Sequence, residues 1–314
     1  MTVDVTLLEA HSFRLDERLG ISERFLRLRA GGAETLGVLA LPLGERRGPG
    51  WVVCHSFGSE QVDLHLLDVA IARSLAASGF PALRFHSQGY GDSRNVWAPA
   101  GPTTQLRDTL EVVGQFPDLA GVEGLGLVGA RFGGTVAALL AGRTGASHLV
   151  LVHPIVSGSK YAAELLRSRV IIELLGEKPA EATTVERLKD ELAARGMVNI
   201  KGWPLRTGAY EELRAIDLMK QMDPFAGRAL VVQVSRGSSV QGPISRLHER
   251  LRAMGAESGL QVVTHPSAPN FGYEHFRPVA KEMLGDILEG VNQAVVERTL
   301  RWLGAGAATE GRIG

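Results

Sequence analysis

The sequence predicts an α/β protein: a mainly parallel, doubly wound sheet with an inserted helical cap. Three observations predict it. Short apolar runs at Trp51–Cys54, Ala82–Phe85, Leu125–Val128, His148–Val152, Ala229–Val234 and Leu260–Thr264 have the length and composition of buried strands. Helical stretches at 63–77, 103–115, 133–142 and 244–254 lie between most of them, and that alternation puts crossover helices on both faces of a parallel sheet. One stretch, 155–226, breaks the rhythm; at about 70 residues it is too long for a loop between two core strands and reads as a cap.

Taken in order, Glu23–Arg29 alternates polar with apolar residues, turns at Gly31-Gly32 and resumes at Thr35–Leu41, an antiparallel hairpin whose polarity places it at a sheet edge. The small-residue run Ala72–Gly79 suits tight packing of a helix on the sheet. Within the cap, Leu165–Leu175 reads as helix. Thr184–Arg195 is a second, begun by Thr183/Thr184 with Glu186 in its first turn. Met197–Lys201 reads as a short strand before Gly202-Trp203-Pro204, and Glu211–Met222 as a third helix. The predicted division is a core of 1–154 and 227–303, a cap of 155–226, and a Gly/Ala-rich tail, 304–314, expected to be mobile. Caps of this kind sit over a pocket and select its ligand.

Composition narrows the partner. The 314 residues are 45% hydrophobic, ample for a packed interior, and 34 Lys+Arg balance 34 Asp+Glu. Zero net charge removes the electrostatic argument for nucleic acid or an anionic membrane, leaving a small molecule or another protein. The single cysteine, Cys54, excludes an internal disulfide; no window spans a membrane, and the first ten residues lack a signal-peptide pattern. The expectation is a soluble cytoplasmic protein without a cofactor.

Residues 125–139 are the most informative segment: a strand, a tight glycine turn and a helix. The G-x-S-x-G turn of serine hydrolases works through geometry, because small residues at both ends allow a strained turn that exposes the middle side chain. Gly129 and Gly133 supply those ends, but the middle residue is Arg131, which has no deprotonatable oxygen or sulfur and cannot form an acyl-enzyme.

These features resemble the α/β-hydrolase superfamily over about residues 20–303. The resemblance is carried by the edge hairpin, by His55-Ser56-Phe57-Gly58, similar to its oxyanion loop, by Gly89-Tyr90-Gly91-Asp92-Ser93, similar to its R-G-x-G-x-S turn, and by the 129–133 elbow. More narrowly, Gly-x-Arg-x-Gly with Val198–Leu205 and Leu213–Leu218 resembles the serine-aminopeptidase-like, exosortase-associated hydrolases, in which arginine can replace the elbow serine. The resemblance implies an acid after the strand at 229–234, yet Ser235–Val240 contains no carboxylate. It implies a Gly-His base after the last strand, where this chain has His265-Pro266 and Gly272-Tyr273-Glu274-His275. Asp217 or Asp223 is the candidate displaced acid. The Ser-Asp-His triad is therefore expected to be lost.

Ligands in doubly wound sheets bind beyond the carboxyl ends of the strands. That rule selects His55, Ser56, His86, Arg131 and His153 as candidate catalytic residues, and Phe57, Ser87, Arg131, Phe132 and Arg236 as candidate ligand contacts. Ser235 and His265 occupy strand ends too. Arg131 at a helix N-terminus reads as a grip for an acyl oxyanion or carboxylate, or as a rivet to a cap carboxylate such as Glu173 or Asp217. His55 and His153 read equally as strand-end hydrogen-bond partners, Cys54 as a buried hydrophobe, and a metal site from His55, His86 and His153 lacks any ligand spacing. Three functions stay open: a pocket protein binding an acyl or carboxylate-bearing small molecule; an ester, thioester or peptide hydrolase with its nucleophile moved to Cys54, Ser56 or Ser87; and an inactive scaffold pairing with a second copy or an operon partner.

Overall fold

The structure, a computed structural model, describes residues 12–91, 93, 100–175, 183–264 and 295–304. The chain begins with strands β1 (Phe13–Asp16), β2 (Ile21–Ala30), β3 (Ala33–Pro42) and β4 (Gly50–Cys54), then helix α1 (Glu60–Ala77), β5 (Ala82–Phe85), α2 (Pro102–Ala120), β6 (Leu125–Ala130), α3 (Phe132–Thr144) and β7 (His148–Val152). Next come α4 (Gly158–Leu175), α5 (Val185–Arg195), the hairpin β8 (Met197–Ile200) and β9 (Trp203–Arg206), α6 (Thr207–Ala215) and α7 (Leu218–Gln221). β10 (Arg228–Ser235), α8 (Gly242–Ala253) and β11 (Glu257–Thr264) follow, and 295–304 is helical.

Among the described residues, one nine-stranded sheet runs in the order β1-β2-β3-β5-β4-β6-β7-β10-β11. β1, β2, β3 and β5 pair antiparallel, and every pair from β5 to β11 is parallel. The parallel strands are apolar on both faces because both faces are covered. On one, Val53, Val128, Val150 and Val232 pack against Leu64, Leu67, Ile71 and Leu75 of α1 and against Val295 and Leu303. On the other, Val52, Leu127, Leu149 and Val231 meet Val112 and Phe116 of α2, Val136 and Leu140 of α3, and Leu247 of α8. The alternation of neighbouring valines and leucines between the two cores is the period of a strand. It fixes the register, since a one-residue slip would exchange the faces.

Residues 155–226, between β7 and β10, carry α4 to α7 and the β8-β9 hairpin, and they dock on the rest at several points. Trp203 stacks on Tyr90 with centroids 4.5 Å apart, Lys201 Nζ lies 3.3 Å from Asp63, and the Thr103 amide donates to Glu212 at 2.8 Å. Three local expectations change. β1 was not anticipated: its residues are mostly exposed and carry no burial pattern. β9 was not anticipated either, because Trp203-Pro204 reads as a turn. The expected helix 211–222 is split into α6 and α7. Ile216 and Asp217 are extended because Ile216 O accepts from Gly158 N–H at 2.9 Å and Leu218 N–H donates to Val156 O at 3.1 Å. Asp92, His265 and Gly272–His275 lie outside the described residues, as does 305–314. No described helix is long and apolar enough to cross a membrane.

Candidate functional site

β6 ends at Ala130 and α3 begins at Phe132, with Arg131 between them at φ 50°, ψ −121°. This region costs a side-chain-bearing residue about 1–3 kcal/mol and persists only where neighbours impose it. The glycines explain how. A Cβ on Gly133 would stand 2.0 Å from the Cys54 carbonyl oxygen, and one on Gly129 would stand 2.3 Å from the Gly133 carbonyl carbon. The Arg131 amide is fixed to Val152 O at 2.8 Å.

The Arg131 side chain is only 11% exposed and is held by two carboxylates: Nε donates to Glu60 at 2.8 Å and Nη2 to Glu164 at 2.7 Å. Glu60 opens α1, and Glu164 lies on α4. Burial opposes the guanidinium's charge, but Glu60 and Glu164 outweigh it and hold its pKa above the usual arginine range. The other oxygen of Glu60 accepts from the Tyr161 hydroxyl at 2.8 Å and from Ser56 Oγ at 2.5 Å, and Ser56 Oγ accepts in turn from the Phe132 amide at 3.2 Å. One cation against two carboxylates gives this cluster a formal charge of −1, an environment that repels a further anion.

The expected cap partners for Arg131 are therefore corrected. Glu173 pairs with Arg169 one turn away, and Asp217 with Lys220 at 3.0 Å. Asp223 pairs with Arg143 at 2.6 Å on the surface. Neither Asp217 nor Asp223 is thus placed as a displaced acid. Glu60, Glu164 and Tyr161 were missed because they lie 71, 33 and 30 residues from Arg131 in sequence. The only available signal was that a buried arginine demands carboxylates.

The strand-end histidines separate into different environments. His55 is buried, with Nδ1 on Ser56 O at 2.8 Å and Nε2 accepting from the Ser87 amide at 3.1 Å and facing Ser87 Oγ at 3.0 Å. Both ring nitrogens are engaged, so His55 ties the 55–58 loop to Ser87; burial, reinforced by His86, pushes its pKa down to about 3. These contacts give His55 a structural role in this loop. His153 has φ 45°, and its Nδ1 accepts from the Val234 amide at 3.2 Å, which leaves the proton on Nε2. Burial, then the charge of Arg131, lowers its pKa to about 4. It is therefore neutral beside the cluster, with Nδ1 engaged by the Val234 amide. His86 faces a cavity beside α1 that His55 also lines.

Phe57 and Phe132, expected as ligand contacts, are fully buried and pack on each other at 5.5 Å, with Tyr161 stacked on Phe132. They form the floor under the cluster. Ser87 is fully buried against His55, and burial pushes the Cys54 thiol far above its usual pKa, against a nucleophilic role for either. Arg236 is exposed in the loop after β10, where Ser235 Oγ donates to Gly237 O at 2.6 Å. Among the described residues, no three His, Cys, Asp or Glu side chains are grouped to hold a metal ion.

Solved structures share this architecture. Est1E from Butyrivibrio proteoclasticus, determined with ferulic acid bound, is 20% identical over 89% of this chain and 99% of its own, with a TM-score of 0.56. An esterase from Pyrococcus furiosus aligns over 92% of this chain and 94% of its own at 11% identity and a TM-score of 0.56. A serine hydrolase without a lid from Xanthomonas campestris aligns over 89% and 94% at 15% identity and a TM-score of 0.51. The chain has the α/β-hydrolase fold. Arg131 stands at that fold's strand-to-helix elbow, and Ser56 in the loop after β4. No protein-family model and no curated protein matches the sequence.

Proposed function

We propose that this α/β-hydrolase-fold chain binds an acyl-bearing small molecule above the strand ends without forming an acyl-enzyme, its Ser-Asp-His triad having been replaced by the Glu60–Arg131–Glu164 cluster. The observation that carries this reading is the guanidinium of Arg131 held between two carboxylates at the elbow. The cluster's charge of −1 favours an uncharged carbonyl over a carboxylate as the group received there. The N–H groups of Arg131 not used by the glutamates are donors for such an oxygen. Residues 155–226 act as the cap over a core of 1–154 and 227–303. The Gly129-x-Arg131-x-Gly133 elbow and the Val198–Leu205 segment support grouping the chain with the exosortase-associated hydrolases.

One observation favours a second reading, hydrolysis of an ester, thioester or peptide by a moved nucleophile. Ser56 Oγ donates to Glu60 and lies 3.2 Å from the Phe132 amide, a hydroxyl, a carboxylate and an N–H donor in one place. Fluorophosphonate labelling with peptide mapping separates the two readings. No adduct on Ser56 or Ser87, no turnover of p-nitrophenyl esters, and saturable binding of N-acyl anilides that Arg131→Ala abolishes would support the first. An adduct on Ser56, or anilide binding indifferent to Arg131→Ala, overturns it.

A further inference from the structure

A cavity of about 440 Å³ lies between α1 and the β2-β3-β5 part of the sheet, a size ordinary for small-ligand sites. Gln61, His65 and Asp68 enter it from α1, where spacings of four and three put them on one helix face. Arg84 and His86 enter from β5 and its end, two residues apart and hence on one sheet face. Phe25, Leu36 and Val38 supply an apolar wall. His55, hydrogen-bonded to Ser56 O, lines it as well, whereas Arg131, Glu60, Glu164 and Tyr161 do not.

Its polar groups are incompletely satisfied. Asp68 is 5% exposed and Gln61 7%, and among the described residues neither side chain makes a hydrogen bond or ion pair. Arg84 Nε is buried without a hydrogen-bond partner. A buried polar group left unpaired costs about 1–3 kcal/mol, and Arg84 Nε carries that cost beside Asp68 and Gln61, whose polar ends face the same space. The charge around them is lopsided. Glu23 is shared by Arg73 at 2.7 Å and Arg84 at 3.6 Å, so two guanidiniums face one carboxylate. Burial raises the Asp68 pKa well above the usual range, with Arg84 partly opposing. The wall then offers the unpaired Arg84 N–H, the Asp68 carboxyl and the Gln61 amide NH₂.

We propose that this cavity is a second ligand site, taking a small organic monocarboxylate whose two oxygens meet Arg84, Asp68 and Gln61 and whose apolar body lies on Phe25, Leu36 and Val38. It does not depend on the elbow reading. Benzoate, with benzamide as its neutral twin, titrated into the full chain by calorimetry and by histidine-ring NMR tests it. Benzoate should saturate and shift His65 and His86 but not His153, and benzamide should bind about 10-fold more weakly or worse, as expected for loss of a charge-assisted contact. Arg84→Gln and Asp68→Leu should weaken benzoate by about 10-fold or more, Asp68→Asn should retain it, and Arg131→Ala should leave it unchanged. Should Arg84→Gln fail to fold, Gln61→Leu, which touches no ion pair, gives the same weakening. Absence of saturable binding, equal binding of benzamide, shifts at His153, or loss of binding in Arg131→Ala overturns the proposal.

Discussion

Glu60→Gln is the most informative perturbation of the elbow cluster, because it changes charge while keeping shape. Arg131 is 11% exposed at its side chain and Glu60 17%, whereas Glu164 is 55% exposed. A glutamine at 60 still offers one oxygen to Arg131 Nε. Its NH₂, however, would face Tyr161 OH and Ser56 Oγ, both of which now donate to that side of Glu60, so both hydroxyls must turn around. Removing one partner from a buried pair costs about 3–5 kcal/mol, and the half-exposed Glu164 recovers part of that, so about 3 kcal/mol is expected. Glu164→Gln, across a solvent-screened contact, should cost at most about 1 kcal/mol. Urea unfolding of both variants, of Arg131→Met, and of Arg131→Met/Glu60→Gln gives the individual costs and the coupling. If Arg131 and Glu60 act as a unit, the combined variant should cost less than the sum of its parts by about 1.5–3 kcal/mol. Equal costs for the two glutamates, or a coupling below about 0.5 kcal/mol, would refute the reasoning.

Two further predictions concern the same end of the sheet. His55 and His153 have folded pKa values of about 3 and about 4 against an ordinary 6.5, so the unfolded chain takes up their protons first as the pH falls. Stability should be fully present above pH 6.5 and then decline by up to about 1.4 kcal/mol per pH unit for each histidine. The decline continues to about pH 4 for His153 and about pH 3 for His55. A flat urea-unfolding profile across that window would contradict their neutral, buried state. Gly133→Ala forces a Cβ to within 2.0 Å of Cys54 O, with only backbone to give way. It should cost about 3 kcal/mol or more, and thermal unfolding indistinguishable from the parent would show that the elbow can open.

The parallel strands were legible because burial on both faces writes an apolar run that few other elements share. Ala82–Phe85 and His148–Val152 are observed with the bounds the composition implies. What stayed hidden depends on distant partners. The break at Ile216-Asp217 has no local breaker; its cause is pairing with residues 156–158. The elbow was legible from two glycines, but the company of Arg131 was not, since a local pattern cannot specify carboxylates on α1 and α4. His55, His86 and His153 do follow β4, β5 and β7, as the strand-end rule selected them. It could not say that His55 is locked to Ser87, that His86 faces the α1 cavity, and that only His153 of these three adjoins Arg131.

The glutamates that hold Arg131 also make position 131 epistatic. Serine there would leave Glu60 and Glu164 facing the same space with no cation between them, while neither His55 nor His153 has a ring nitrogen placed to accept the serine proton. A serine at this position would lower stability before it gained any rate, so the arginine is held in place by its neighbours. Its neighbours would have to change before it could.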